Sequence, residues 1–97
     1  MNIGEGQGVA IMIQRLKVPV TVETVYDHRR RSVGPRKVIF DGREYIILKT
    51  GYHHTYRLGR TLFHAFSVAS NAMFFRLVLN TDNLFWELEE ISDGEAD

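Results

Sequence analysis

Residues 61–91 read TLFHAFSVASNAMFFRLVLNTDNLFWELEEI, and the reading of this stretch decides the fold. Apolar residues recur at every second position, the period of a half-buried strand. A two-residue loop at Asn71–Ala72 sets Val68 opposite Phe75, Phe66 opposite Leu77 and His64 opposite Leu79. A second turn around Thr81, Asp82 and Asn83 then brings Trp86 and Leu88 to the same side. One face of a three-stranded meander thereby becomes continuous through Leu62, Phe66, Val68, Phe75, Leu77, Leu79, Trp86 and Leu88. Arg76 points to the opposite side with Glu87 and Glu89. Its direct partner is Glu89 or Glu87 according to the length of the second turn. A helix competes over residues 61–78, because Leu62, Phe66, Ala69, Met73 and Leu77 also fall at helical spacing. Ser70-Asn71 in its middle and the lack of a capping pattern favour strands.

Moving towards the N-terminus, PRKVIF-DG-REYIIL (35–48) places Asp-Gly between two β-rich runs. Asp-Gly is the preferred loop of a type I′ hairpin, whose two central residues both need positive φ. With Asp41–Gly42 as that loop, Phe40 faces Arg43, Ile39 faces Glu44 and Val38 faces Tyr45. Before it, KVPVTVETVYD (17–27) alternates as one strand, with Pro19 near its start where a missing N–H is tolerated on an edge. Between the two hairpins, TGYHHTYRLGR (50–60) is punctuated by Gly51 and Gly59 and reads as a long loop. The expected strands are 18–27, 35–40, 43–49, 61–69, 73–80 and 84–91. The fold class expected is all-β, a small antiparallel barrel or a strongly twisted meander of about six strands.

The chain has 97 residues, 12 Lys+Arg, 12 Asp+Glu and no cysteine. That length suits one domain, and at this size about 60–65% of the unfolded surface can be buried. The absence of cysteine excludes disulfide scaffolds, thiolate zinc sites and cysteine nucleophiles. A flexible N-terminal extension is expected over 1–15, with Gly4, Gly6 and Gly8 in its opening octet, a single β domain over 16–92, and an acidic tail over 93–97. Met12 opens a more protein-like run and could be a translation start, with 1–11 as an upstream extension. No apolar run approaches the ~18 residues of a membrane span, and no basic segment precedes an apolar core as in a signal peptide. A cytoplasmic location is the resulting expectation, with no membrane partner.

Charge is divided along the chain. All 12 bases lie between Arg15 and Arg76, opposed there only by Glu23, Asp27, Asp41 and Glu44. From Asp82 onwards the charged residues are acidic. Such a split fits either a basic binding face with an acidic tail or oppositely charged strands that pair in the fold.

A resemblance emerges from these strands. PVTVE (19–23), PRKVIFDGREYII (35–47) and, after a variable middle, FHAFSVASNAMFFRLVL-NTDN-LFWELEEISD (63–93) resemble a family of short uncharacterised bacterial domains. Arg36, Gly42, Arg43, Tyr45, Trp86 and Leu88 carry the likeness. Phe40 stands where many members have Trp, and Ser70-Asn71-Ala72 replaces a glycine-rich tip. The resemblance implies a small all-β domain of unknown function, sometimes encoded beside Y-family translesion DNA polymerases, and brings no catalytic residues with it. Arg36, Tyr45 and Tyr56-Arg57-Leu58 also resemble WYL-type modules, small barrels that sense ligands or nucleic acid.

Two segments are candidates for phosphate or nucleic-acid binding. Arg29, Arg30 and Arg31, with Arg36 and Lys37, form a basic stretch of the kind that displaces counterions from a phosphate backbone. Tyr52, His54, Tyr56, Arg57 and Arg60 alternate rings with guanidinium groups, the chemistry of single-strand stacking. The plain alternatives are a solvated turn and an ordinary exposed loop. Imidazole suits zinc, copper or nickel, but neighbouring His53 and His54 on a strand would diverge, and His64 falls on the apolar face; no metal and no cofactor are expected. Ser32, Ser67, Ser70 and Ser92 lack a nucleophile elbow, and no phosphate-cradling glycine motif occurs. A non-catalytic accessory or interaction module is therefore expected. Its partner would be an unknown protein or nucleic acid. The alternatives are a small homodimeric structural protein and a histidine-dependent metal-binding enzyme. Phe74 and Phe85 on the outward side require cover from the first hairpin, the N-terminus or a second subunit.

Overall fold

The computed structural model describes residues 13–71 and 73–93. Eight strands run β1 (Ile13–Pro19), β2 (Thr21–Asp27), β3 (Ser32–Phe40), β4 (Arg43–Ile46), β5 (Lys49–Leu58), β6 (Thr61–Ala69), β7 (Phe74–Asn80) and β8 (Phe85–Ser92). They make two antiparallel sheets, one ordered β1-β8-β7-β6-β5 and one ordered β2-β3-β4. The all-β antiparallel class stands as expected. The strand number and the closed barrel do not, because no ladder among the described residues joins one sheet to the other.

The reason lies at two crossings. Pro19 ends β1, and Val20 N–H still donates to Trp86 O at 3.2 Å before the chain leaves for the smaller sheet. The expected strand 18–27 is thus two strands in different sheets. Ile47 N–H donates back to Arg36 O at 2.9 Å, whereas Leu48 N–H donates to Ala69 O at 2.8 Å. The expected strand 43–49 is therefore divided between β4 and β5. β1 begins at Ile13, within the stretch assigned to the extension, and pairs with Ser92. Residues 1–12, including the start considered at Met12, and residues 94–97 of the acidic tail lie outside the described residues.

Local signals place the hairpins well. Asp41 (φ 54°) and Gly42 (φ 78°) both occupy the left-handed region, and Phe40, Ile39 and Val38 face Arg43, Glu44 and Tyr45. β6 and β7 pair Val68 with Phe75, Phe66 with Leu77 and His64 with Leu79, and Ser70 N–H closes the loop onto Met73 O at 2.8 Å. The helix alternative for 61–78 is excluded. Pro19 sits on an edge strand, while Pro35 sits in the central strand β3 opposite a register shift between Glu23 and Thr24. A bulge is where a strand tolerates a missing N–H.

The core lies between the sheets. Phe66, Val68, Phe75, Leu77, Leu88 and Ile91 from the large sheet meet Val38 from the small one. Half-buried Val22, Phe40, Tyr45, Ile47 and Trp86 pack around them, with Tyr45 edge-on to Phe75 at 5.0 Å between ring centroids.

Candidate interaction face

The functional candidates are governed by which side of the large sheet each strand offers. β5 overturns the expected loop at 50–60. Gly51 is left unpaired at a register shift, and from Tyr52 onwards the strand pairs regularly with β6. Gly59 (φ 61°) lies in the Leu58–Thr61 turn. The two glycines mark a bulge and a turn, not a loop.

Strand alternation sends His53, Thr55 and Arg57 to the core side and Tyr52, His54 and Tyr56 to the open side, opposite Ser67, Ala65 and Phe63. The row of rings is physically continuous. Tyr52 and His54 lie 5.0 Å apart between centroids, His54 and Tyr56 5.9 Å, and Tyr56 stacks on Phe63 at 5.2 Å and 12°. His54 Nδ1 is buried without a hydrogen-bond partner. The Tyr56 phenol is pushed above its ordinary value by burial and by Glu89 and Glu87, against the pull of Arg76.

The remaining strands extend this face. It carries Phe74 and Phe85, 45% and 67% exposed, yet its floor is dry, with Ala65 at 0% and Val78 at 3%. Cover from the first hairpin does not occur there, since Val38, Phe40 and Tyr45 pack on the opposite face. Two ion pairs cross strands on the open face, which also carries Glu87 and Lys49. Arg76 Nε lies 3.0 Å from Glu89 Oε1, and Arg15 Nε lies 3.4 Å from Glu90 Oε2. A register shift between Arg76 and Leu77 makes Glu90 the Cα partner of Arg76 and leaves Glu89 as the extra, bulged residue that takes the ion pair. The charge division along the sequence thus includes cross-strand pairs. Towards one end of the face a hollow of about 460 Å³ is lined by Gly51, Ser67, Ala69, Phe74, Arg76 and Glu90 among others.

The other sequence candidates lie elsewhere. Arg29, Arg30 and Arg31 occupy the β2–β3 turn in the smaller sheet, where Asp27 Oδ1 accepts from the N–H groups of Arg29 and Arg30 and Asp27 also faces the Arg30 guanidinium. Arg36 pairs with Glu23 and Lys37 with Glu44, both within that sheet. Arg57 lies just before the β5–β6 turn and Arg60 within it, with Arg57 Nη1 donating to Arg60 O at 3.5 Å. Tyr52, His54 and Tyr56 are therefore brought together, and the arginine triplet belongs to the other sheet.

On the core side of β5, His53 stacks on Phe66 at 4.2 Å and 6°. Its Nε2 lies 2.8 Å from His64 Nδ1, so one ring donates and the other accepts. Partial withdrawal from water, followed by the His64 and His54 rings, holds His53 below the ordinary imidazole value. Among the described residues no three His, Asp or Glu side chains gather as a metal site, and no helix is long and apolar enough to cross a membrane.

The sequence marks Tyr52, His54 and Tyr56 as candidates but does not join them to Phe63, Phe74 and Phe85. The missed signal is the period-two register of 52–58, which is carried by rings instead of aliphatic residues. No family model matches the chain, and no curated protein or solved structure matches it.

Proposed function

We propose that this protein is a non-catalytic interaction module whose working surface is the open face of the five-stranded sheet, and that this face receives another protein. The observation that carries the reading is the exposure of Phe74 and Phe85 on the same face that buries Ala65 and Val78. A desolvated floor rimmed by accessible aromatic rings is the anatomy of an interface centre. The paired charges of Arg15, Glu90, Arg76 and Glu89 suit a mixed protein surface better than a phosphate backbone. A photo-crosslinking residue placed at Phe85 should capture a defined partner in the native host, while the same residue at Ile39, on the smaller sheet, should not. Equal capture at both positions, or none at Phe85, would sink the proposal.

A second reading is favoured by the Tyr52–His54–Tyr56 row, which runs along an edge strand towards Arg57 and Arg60. Rings in such a row can stack the bases of a single strand, and Arg57, on the other side of β5, and Arg60, in the turn, would serve the phosphates at its end. Titration with single-stranded and duplex DNA at several salt concentrations tests it. Affinity should fall steeply with salt and should drop when Arg57 and Arg60 become Ala. Replacement of Arg29, Arg30 and Arg31 asks whether the other sheet contributes. Absence of binding at low salt removes the nucleic-acid reading and leaves the protein partner.

A further inference from the structure

The two sheets present four outer strands among the described residues: β1 and β5 in the larger, β2 and β4 in the smaller. A row of unpaired N–H and C=O groups is a template for another strand, and proteins blunt it with bulges, proline, charge or shortness. Three of the four edges are blunted. β1 has a register shift with Lys17 at φ 57°, ends on Pro19 and carries Arg15. β4 has four residues. β2 is seven residues long and carries Glu23 and Asp27, and it faces a bulge at Arg36 of β3. β5 differs, because beyond Gly51 it runs from Tyr52 to Leu58 in unbroken register, without proline, and with Arg57 as its one formally charged residue.

The β5–β6 turn shows which backbone groups point away. Leu58 pairs with Thr61 across the two residues Gly59 and Arg60. In such a hairpin the flanking pair exchanges both hydrogen bonds, and bonded and non-bonded pairs then alternate along the ladder. Leu58, Tyr56, His54 and Tyr52 therefore bond to β6, and Arg57, Thr55 and His53 offer their N–H and C=O groups outwards. The β7 side agrees with this phase, since Leu62, opposite Arg57, accepts from Thr81 N–H at 3.1 Å.

We propose that β5 pairs antiparallel with β5 of a second copy, about a two-fold axis at His54, so that two five-stranded sheets become one of ten. A two-fold contact must be complementary to itself, and β5 has that symmetry. On the open face Tyr52 and Tyr56 stand two residues either side of His54. In this register Tyr52 meets the partner's Tyr56, His54 meets the partner's His54, and the outward groups of His53 meet those of the partner's Thr55. Arg57 falls opposite the partner's Gly51, so no like charges face each other directly. An extended segment of a different protein could use the same backbone groups, but the mirrored ring pattern selects a second copy. The proposal stands apart from the partner reading above, which concerns the middle of the face.

Sedimentation equilibrium on the full chain tests it. The expected mass is twice that of the monomer, falling to the monomer for Thr55→Pro with the far-ultraviolet dichroism retained, because the Thr55 N–H takes no part in the β5–β6 ladder. His54→Lys and His54→Glu should each be monomeric where the unaltered chain is dimeric, and their equimolar mixture should restore the dimer. That mixture decides the matter if Thr55→Pro fails to fold. A chain that remains monomeric up to about 1 mM, the weak end of specific association, overturns the proposal. So does a dimer that survives Thr55→Pro but is lost on Phe85→Ser, which would place the contact on the open face. A mixture of the two His54 variants that stays monomeric overturns the pairing about His54.

Discussion

The larger sheet buries side chains on both faces, and the smaller one barely on one. Phe66, Leu77 and Leu88 are shut between the sheets while Ala65 and Val78 are covered on the other side. In the smaller sheet Pro35 and Val38 are buried, and Val25, Tyr26, Val33, Ile39 and Ile46 remain exposed. The smaller sheet therefore acts as a lid held by Val38 and its half-buried neighbours, and the larger sheet is the body. Local stability follows buried contact, so the two sheets should part company under stress before the larger one melts.

The largest effect tests the body. Leu77→Ala removes a fully buried side chain from the central strand β7 and should cost about 3–5 kcal/mol, read as a lower urea midpoint. Val38→Ala should cost about 2 kcal/mol and act selectively. Amide exchange should speed up across β2–β4 while the β6–β8 amides keep their protection. Equal acceleration in both sheets would mean that lid and body unfold as one unit, and the contrast would be lost.

Ion pairs sharpen the same contrast at smaller scale. Arg76 and Glu89 are 29% and 28% exposed at their side chains, whereas Arg36 and Glu23 are 67% and 49% exposed. Arg76→Met should cost about 1 kcal/mol because it strands a half-buried carboxylate. Arg36→Met should cost no more than about 0.5 kcal/mol, with its partner in water. Urea midpoints with and without added salt separate the two, since the exposed pair is already screened.

How much of this could be read beforehand depends on what each signal measures. Asp41–Gly42 is local chemistry, and a turn that needs two positive φ angles fixes its own register. The 61–91 meander was legible because aliphatic and aromatic residues alternate on a face buried by the opposing sheet. β5 was not legible. Its alternation is Tyr52, His54 and Tyr56 against His53, Thr55 and Arg57, and neither set reads as apolar. Gly51 and Gly59 punctuate a loop as readily as they mark a bulge and a hairpin turn. The sheet crossings at Val20 and Leu48 were equally hidden. Whether a strand continues or changes sheet depends on distant partners, Trp86 and Ala69, and not on residues beside the crossing. The open face was visible only as two unexplained aromatic residues, Phe74 and Phe85.

The smallest effect concerns acid and belongs to the edge of the body. His53 rests on Phe66 with its Nε2 2.8 Å from His64 Nδ1, and desolvation together with the His64 and His54 rings lowers its pKa from 6.5. The folded chain then takes up this proton less readily than the unfolded one. As pH falls through the unfolded value of 6.5 towards the lower folded value, the unfolded state binds more protons and stability declines; above 6.5 the contribution is fully present. His53→Gln should flatten this part of the dependence, measured as the difference in urea midpoint between about pH 7.5 and about pH 5.5. Because His53 is exposed, its share should be smaller than that of any core substitution above. If the variant kept the full slope, the acid dependence would not arise from His53, and the β5 edge would have no part in it.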